Sequence, residues 1–86
     1  MNTSFHKKFD KRLAKLPPKV QKKAIERIEL FQHEPFARIL DNHALVGKWT
    51  GYRSIDITGD YRAIYLPISE NFAKFYAIGT HPQLYG

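Results

Sequence analysis

The sequence contains no cysteine and no long apolar segment. The absence of cysteine excludes disulfide scaffolds, thiolate zinc sites and cysteine nucleophiles. No uncharged apolar run approaches the roughly 20 residues that a membrane-spanning helix requires. Residues 1–12 also lack the apolar segment of a secretory signal peptide. We therefore expect a cytoplasmic protein that does not associate with membranes.

Motifs for nucleotide, metal or acyl chemistry are missing as well. The sequence has no P-loop, no GxGxxG, no HExxH and no GxSxG. His43 and His81 are far apart in the sequence, and neither has a second metal ligand three or four residues away. We therefore predict no metal and no cofactor.

The charge that is present is basic and concentrated at one end. The chain has 86 residues, 14 Lys and Arg, 8 Asp and Glu, and a formal charge of +6. Residues 1–34 contain nine basic and four acidic residues, so most of the excess lies there. A basic surface with interleaved aromatic residues favours nucleic acid as a partner. The alternative is that these lysines only solvate the outer faces of helices.

Apolar spacing predicts two helices followed by strands, within a single domain over residues 1–86. The first helix is predicted from a stripe between Phe5 and Leu16, with Thr3 or Ser4 as its N-cap, and Pro17-Pro18 ends it. The second begins near Pro18, and Pro35 closes it. Strands are predicted at residues 52–58, 61–67 and 72–78, before an irregular tail. The predicted fold class is α+β, with a helical hairpin packed on a mainly antiparallel sheet of three to five strands.

The polar side chains of the second half could together cleave RNA without a metal. Histidine titrates near neutral pH and can act as acid or base. An arginine such as Arg62 can bind the scissile phosphate, and tyrosines can stack on unpaired bases. These residues could also have purely structural roles. His81 could be only a turn residue before Pro82, and Arg62 could form a cross-strand ion pair with Asp56 or Asp60.

Four segments together resemble the RelE/YafQ-type toxins of bacterial type II toxin–antitoxin systems, in the RelE/ParE superfamily. They are the first helix (Phe9–Leu16), the central HALVGKWTGYRSIDI (His43–Ile57), GDYRAIY (Gly59–Tyr65) and the terminal IGTHPQLYG (Ile78–Gly86). Each motif is weak alone, but their order and spacing cover nearly the whole chain. The YafQ branch is the most similar, through the patterns H-x-L-x-G-x-W-x-G-Y-R and G-T-H-x-x-L-Y-G.

The resemblance implies a small α+β fold and a metal-free endoribonuclease that cuts mRNA on the ribosome. Attack by the 2′-hydroxyl would leave a 2′,3′-cyclic phosphate, and translation would stop. The implied partners are mRNA, ribosomal RNA and a cognate antitoxin in a hetero-oligomeric complex. The implied catalytic residues are His81, Arg62, His43, Tyr85 and Asp60. The RNA-binding candidates are Lys48, Arg53, Tyr61 and Asp56.

The chain departs from the YafQ pattern at two positions. Ser54 stands where that branch tends to have an acid, and Asp56 stands where it tends to have a histidine. The resemblance also leaves two alternatives open. One is a ParE-like toxin that inhibits DNA gyrase and has no nuclease site. The other is an inactive RNA-binding module. The terminal pair of His81 and Tyr85 favours the nuclease over the gyrase inhibitor.

Overall fold

A five-stranded sheet with helices on both faces makes up the computed structural model, which describes residues 1–86. The sheet order is β1-β5-β4-β3-β2, and every neighbouring pair is antiparallel except the parallel pair β1–β5. The strands are β1 (Asn2–Phe5), β2 (His43–Ala44), β3 (Arg53–Asp56), β4 (Tyr61–Ser69) and β5 (Phe72–Thr80), and the helices are α1 (Lys7–Ala14), α2 (Pro18–His33) and α3 (His81–Tyr85). The predicted α+β class and the mainly antiparallel sheet are confirmed.

The two N-terminal helices form because of their proline junction and their apolar stripes. Pro17 and Pro18 separate α1 from α2, and Pro18 occupies the first turn of α2, where its missing N–H costs nothing. The predicted N-cap at Thr3 or Ser4 is wrong. His6 caps α1 instead, since its Nδ1 accepts a hydrogen bond of 3.0 Å from the Lys8 backbone N–H.

Thr3 and Ser4 lie in a strand rather than at a helix start. β1 pairs with β5 in parallel register, with Thr3 opposite Ala73 and Ser4 opposite Lys74. Backbone hydrogen bonds from Asn2 to the Asn71 carbonyl and from His6 to the Phe75 carbonyl bracket this ladder. The strand is only four residues long. Its sequence therefore shows no clear alternation, and the edge of β5 decides its conformation.

The main core lies between α1, α2 and one face of the sheet. It joins 13 buried residues from α1, α2, β3, β4 and β5 and from the segments that connect these elements. Phe31 of α2 is central, with its ring centroid 4.8 Å from Tyr65 and 5.4 Å from Phe75 in edge-to-face geometry. Such aromatic pairs contribute beyond the area that they bury.

The other sheet face carries the polar side chains. Strand alternation places Ser54 and Asp56 of β3 on this face, and their β4 partners are Ile64 and Arg62. Ile64 is fully buried yet lies outside the main core cluster, as does Leu84 of α3. α3 therefore covers part of this second face.

The chain end is ordered, although an irregular tail was predicted. β5 runs to Thr80, and α3 follows directly. A capping box fixes the start of α3. The Thr80 side chain accepts a hydrogen bond of 3.4 Å from the Gln83 N–H, and Gln83 Oε1 accepts one of 2.8 Å from the Thr80 N–H. No helix of the structure has both the length and the apolar character of a membrane span.

Candidate functional site

A cleft of about 390 Å³ opens where β4 begins and β5 ends. These two strand ends are adjacent because the pair is antiparallel, with Tyr61 opposite Thr80 and Arg62 opposite Gly79. The turn before β4 forms one rim, and the start of α3 forms the other. The lining residues are Gly59, Asp60, Tyr61, Arg62, Thr80, His81 and Pro82. The fold thus brings Arg62, Asp60, Tyr61 and His81 to one site.

Arg62 is held in the cleft by a cross-strand ion pair. Its Nε lies 3.4 Å from Asp56 Oδ1, and both side chains are about one-third exposed. No other intramolecular contact holds the guanidinium, so its terminal nitrogens can bind a ligand. Burial raises the pKa of Asp56 above its ordinary value, and the attraction of Arg62 offsets part of that rise. Asp56 therefore orients Arg62 but leaves its two terminal guanidinium nitrogens free.

His81 and Tyr85 face each other along α3. Their ring centroids are 4.7 Å apart, which is close enough for the rings to touch. The Tyr85 hydroxyl is buried and makes no hydrogen bond. His81 itself is exposed at the cleft. The Tyr85 ring thus packs against an accessible imidazole.

His43 lies on β2, at the far side of the same sheet face. It is paired with Ser54, and Asp56 lies two residues further along β3. His43 Nδ1 lies 2.8 Å from the Asp41 carbonyl oxygen, which can only accept, so this nitrogen carries the proton. Its Nε2 lies 3.5 Å from Ser54 Oγ. The structure therefore places His43 beside Asp56 but outside the lining of the His81 cleft.

The remaining RNA-binding candidates are separated by the sheet. Arg53 and Asp56 project from opposite faces of β3. Arg53 Nε donates a hydrogen bond of 2.9 Å to Asn42 Oδ1, and the guanidinium lies 5.3 Å from the centre of the Phe36 ring. Lys48 is exposed in the turn before β3, away from the cleft. No three His, Asp or Glu side chains come together as a metal site would require.

Comparison with known proteins identifies the family to which this arrangement belongs. A family model described as the YafQ toxin, a bacterial toxin of type II toxin–antitoxin systems, matches residues 1–86. The chain belongs to the YafQ toxin family. The predicted RelE/YafQ-type resemblance is therefore confirmed. No curated protein sequence matches the chain significantly.

Solved structures share the whole fold of this YafQ-family chain. The crystal structure of YafQ from E. coli strain BL21(DE3) aligns with a TM-score of 0.80 at 25% identity, over 99% of this chain and 98% of that one. A copper-bound L66S mutant toxin from Helicobacter pylori aligns with a TM-score of 0.67 at 26% identity, over 99% of each chain. A YoeB/ParE toxin from Agrobacterium tumefaciens shares the fold at 20% identity, with a TM-score of 0.75 over 94% of this chain and 99% of that one.

Two features that shape the site are absent from the predictions made from the sequence. The first is the Thr80–Gln83 capping box. Its T-x-x-Q pattern lies in the segment that is predicted to be an irregular tail. The second is a β-bulge in β5. Ile64 pairs with Ala77 and Tyr65 with Phe75, which leaves Tyr76 as an extra residue. A bulge has no sequence signature here, so only the structure shows that Tyr76 projects from the polar face.

Proposed function

We propose that this YafQ-family toxin is a ribosome-dependent endoribonuclease that cuts mRNA in the cytoplasm and stops translation. One observation carries the proposal: an accessible histidine, His81, and an arginine with a free fork, Arg62, line one cleft. The net charge of +6 supports a polyanionic substrate. The family resemblance supports mRNA on the ribosome as that substrate.

The proposed reaction is an internal transesterification of RNA. The 2′-oxygen loses its proton and attacks the adjacent phosphorus, and the bond between phosphorus and the 5′-oxygen breaks. The 5′-oxygen takes up a proton and leaves, while the other fragment keeps a 2′,3′-cyclic phosphate. Negative charge builds on the phosphoryl oxygens during this exchange. Arg62 supplies two parallel donors at that position, and Asp56 holds them in place before the substrate arrives.

His81 performs one of the two proton transfers. An imidazole can accept the proton of the 2′-hydroxyl or donate one to the 5′-oxygen. Contact with Tyr85 limits the rotation of the ring, which favours a fixed approach to the substrate. Asp60 and Tyr61 form the opposite rim and are placed to contact the nucleotides beside the scissile bond. His43 lies on β2, next to β3, and would influence Arg62 through its electrostatic interaction with Asp56.

We also propose that a cognate antitoxin blocks this site in a hetero-oligomeric complex. Among the structures with the same fold are an E. coli DinJ–YafQ complex and a heterotetrameric YoeB–YefM complex from Staphylococcus aureus. Co-expression with the product of the adjacent gene should yield a stable complex that does not cleave RNA. A toxin that copurifies with no such product would contradict this part of the proposal.

The nuclease proposal is tested on ribosomes programmed with a defined mRNA. Wild-type protein should cut within the A-site codon, and His81→Ala should lose about 10²-fold or more in single-turnover rate. His33→Ala is the matched control, because His33 is an exposed histidine at the end of α2, outside the cleft. Full activity of His81→Ala would reject the assignment. A toxic, folded wild type that cuts no mRNA would instead favour gyrase as the target.

A further inference from the structure

A second groove lies on the other side of α3 from the candidate cleft. It has a volume of about 360 Å³, and α1 forms one wall. The turn at residues 47–49 and the end of α3 form the opposite wall. Tyr76 and Ala77 form its floor, where the bulge in β5 directs both side chains to this face. The residues that face the groove with charged or aromatic groups are Lys8, Arg12, Lys48, Trp49 and Tyr76.

The Trp49 and Tyr76 rings of this groove belong to a continuous row of aromatic rings. The Trp49 and Tyr52 centroids are 5.2 Å apart, and the Tyr52 and Tyr76 centroids are 5.6 Å apart. His6 extends the row, with its ring 5.3 Å from that of Tyr76. Trp49 is fixed by a hydrogen bond of 3.1 Å from its Nε1 to the Leu84 carbonyl. These rings are only partly buried, so each keeps accessible surface.

The charge around the aromatic row is of one sign. Lys8, Arg12 and Lys48 line the groove, and no acidic residue does. Lys8 and Arg12 also face an adjacent depression on α1 that is lined by Lys11 and Lys15. The one acid of α1, Asp10, lies on the other side of the helix, facing α2. The helix thus turns its cations toward the aromatic floor.

We propose that this groove binds single-stranded RNA, with bases against Tyr76 and Trp49 and phosphates on Lys8, Arg12 and Lys48. The inference rests on the proposed function in naming RNA, and it adds a binding surface separate from the cleft. Aromatic side chains bind unpaired bases whatever their sequence, while cations follow the backbone. Rings and cations together suit unpaired bases on a phosphate backbone, whereas the carboxylates of an acidic protein segment would use only the cations.

Binding of a uniformly 2′-O-methylated single-stranded oligonucleotide tests the groove. This probe has no free 2′-hydroxyl, so the result does not depend on whether the protein cuts RNA. Trp49 is the sole tryptophan, and its fluorescence should be quenched on binding. Tyr76→Ala should weaken binding about tenfold, while Tyr76→Phe should bind like wild type. Ile25→Ala controls for loss of an exposed apolar side chain elsewhere, and should change the Kd by less than about twofold.

Two double variants distinguish RNA binding in the groove from RNA binding by the overall positive charge of the protein. Lys8→Ala with Arg12→Ala should reduce the slope of log Kd against log salt by about 1.4, the value for two phosphate contacts on a single strand. Lys19→Ala with Lys22→Ala removes the same charge from α2, and should change the slope much less. Circular dichroism checks each variant for folding, and Tyr76→Leu replaces Tyr76→Ala if the latter unfolds.

Three results would overturn the proposal. Equal losses in the two double variants would mean that overall charge, not the groove, binds RNA. Equally tight binding of duplex and single-stranded probe would exclude base stacking. Displacement of the probe by polyglutamate, with Tyr76→Ala binding like wild type, would assign the groove to an acidic protein segment.

Discussion

At the scale of single residues, Asp56 and Arg62 form a pair in which the partners have different roles. Asp56 Oδ1 is buried and accepts no well-formed hydrogen bond, although Arg62 Nε is 3.4 Å away. A carboxylate in this position is charged at some cost, because its desolvation outweighs the attraction of the arginine. We infer that the pair is kept for the orientation of Arg62 rather than for stability.

The raised pKa of Asp56 predicts a pH-dependent effect of Asp56→Asn on stability. A raised folded-state pKa means that the native state binds more protons than the unfolded state, so the contribution of Asp56 falls as pH rises from about 3.8 through the raised value. The Asp56→Asn variant has no carboxyl group at this position, so its stability does not fall for this reason as pH rises. Its free energy of unfolding relative to wild type should therefore increase from pH 3.5 to pH 7, as measured by urea denaturation. A difference that is constant or decreases over this range would contradict the assignment.

Arg62→Ala should slow cleavage much more than it changes folding. Loss of the phosphate clamp should lower the single-turnover rate about 10²- to 10³-fold. Arg62→Lys keeps the charge but not the bidentate fork, and should recover only part of the rate. The melting temperature should move little, since the side chain is partly exposed. An unchanged rate would remove Arg62 from the mechanism.

At the scale of elements, α3 is the segment on which the site depends. It is only five residues long and carries both His81 and Tyr85. Its capping box fixes its start, and Gly79 leaves room for that cap, because a Cβ atom at Gly79 would come within 2.8 Å of Gln83 Oε1. A side chain at residue 79 would therefore displace the group that caps the helix.

Thr80→Ala tests whether this cap positions His81. Loss of the side-chain acceptor should cost about 1 kcal/mol of stability. Cleavage should fall about tenfold, because α3 frays and the imidazole loses its orientation. Thr80→Ser retains the hydroxyl and should restore both properties, as judged by single-turnover rates and thermal melting. Wild-type cleavage by a Thr80→Ala protein with a lower melting temperature would show that the cap is only structural.

The longer elements were predictable from the sequence and the shortest ones were not. α2 begins at Pro18 and ends before Pro35, as its stripe and flanking prolines predict. The strands β4 and β5 are β-rich runs separated by turn residues, and these two signals identify them. β1 has four residues and β2 has two, and both form because a neighbouring strand edge is available. Such partner-dependent pairing cannot be inferred from local propensity.

At the scale of the whole molecule, one core supports two candidate binding surfaces, the cleft and the groove. α1 and α2 pack on one sheet face, the cleft opens where β4 begins and β5 ends, and the groove lies between α1 and α3 along β5. The sequence motifs indicated which residues could act, and the sheet order shows how they meet. His81 and Arg62 are distant in sequence yet adjacent, because β4 and β5 are antiparallel neighbours. Arg53, the predicted RNA-binding arginine, lies on the sheet face opposite to that of Arg62, the predicted catalytic arginine.

Phe31→Ala should destabilise the whole domain. Phe31 is fully buried and contacts the rings of Tyr65 and Phe75, so its removal leaves a cavity that the sheet cannot close. The expected cost is about 3–5 kcal/mol, a large part of the stability of so small a domain. Urea denaturation measures it, with Phe36→Ala as an exposed aromatic control that should cost less than about 1 kcal/mol. Similar midpoints for the two variants would contradict the proposed core.

The proposed endoribonuclease mechanism requires that this protein cuts RNA through the 2′-hydroxyl of its substrate. The most direct test uses programmed ribosomes carrying mRNA with a single 2′-deoxy nucleotide at the mapped cleavage position. Unmodified mRNA should give fragments with 2′,3′-cyclic phosphate and 5′-hydroxyl ends, and the deoxy substitution should abolish the cut. Continued cleavage of the substituted mRNA, or fragments with 3′-hydroxyl and 5′-phosphate ends, would contradict it.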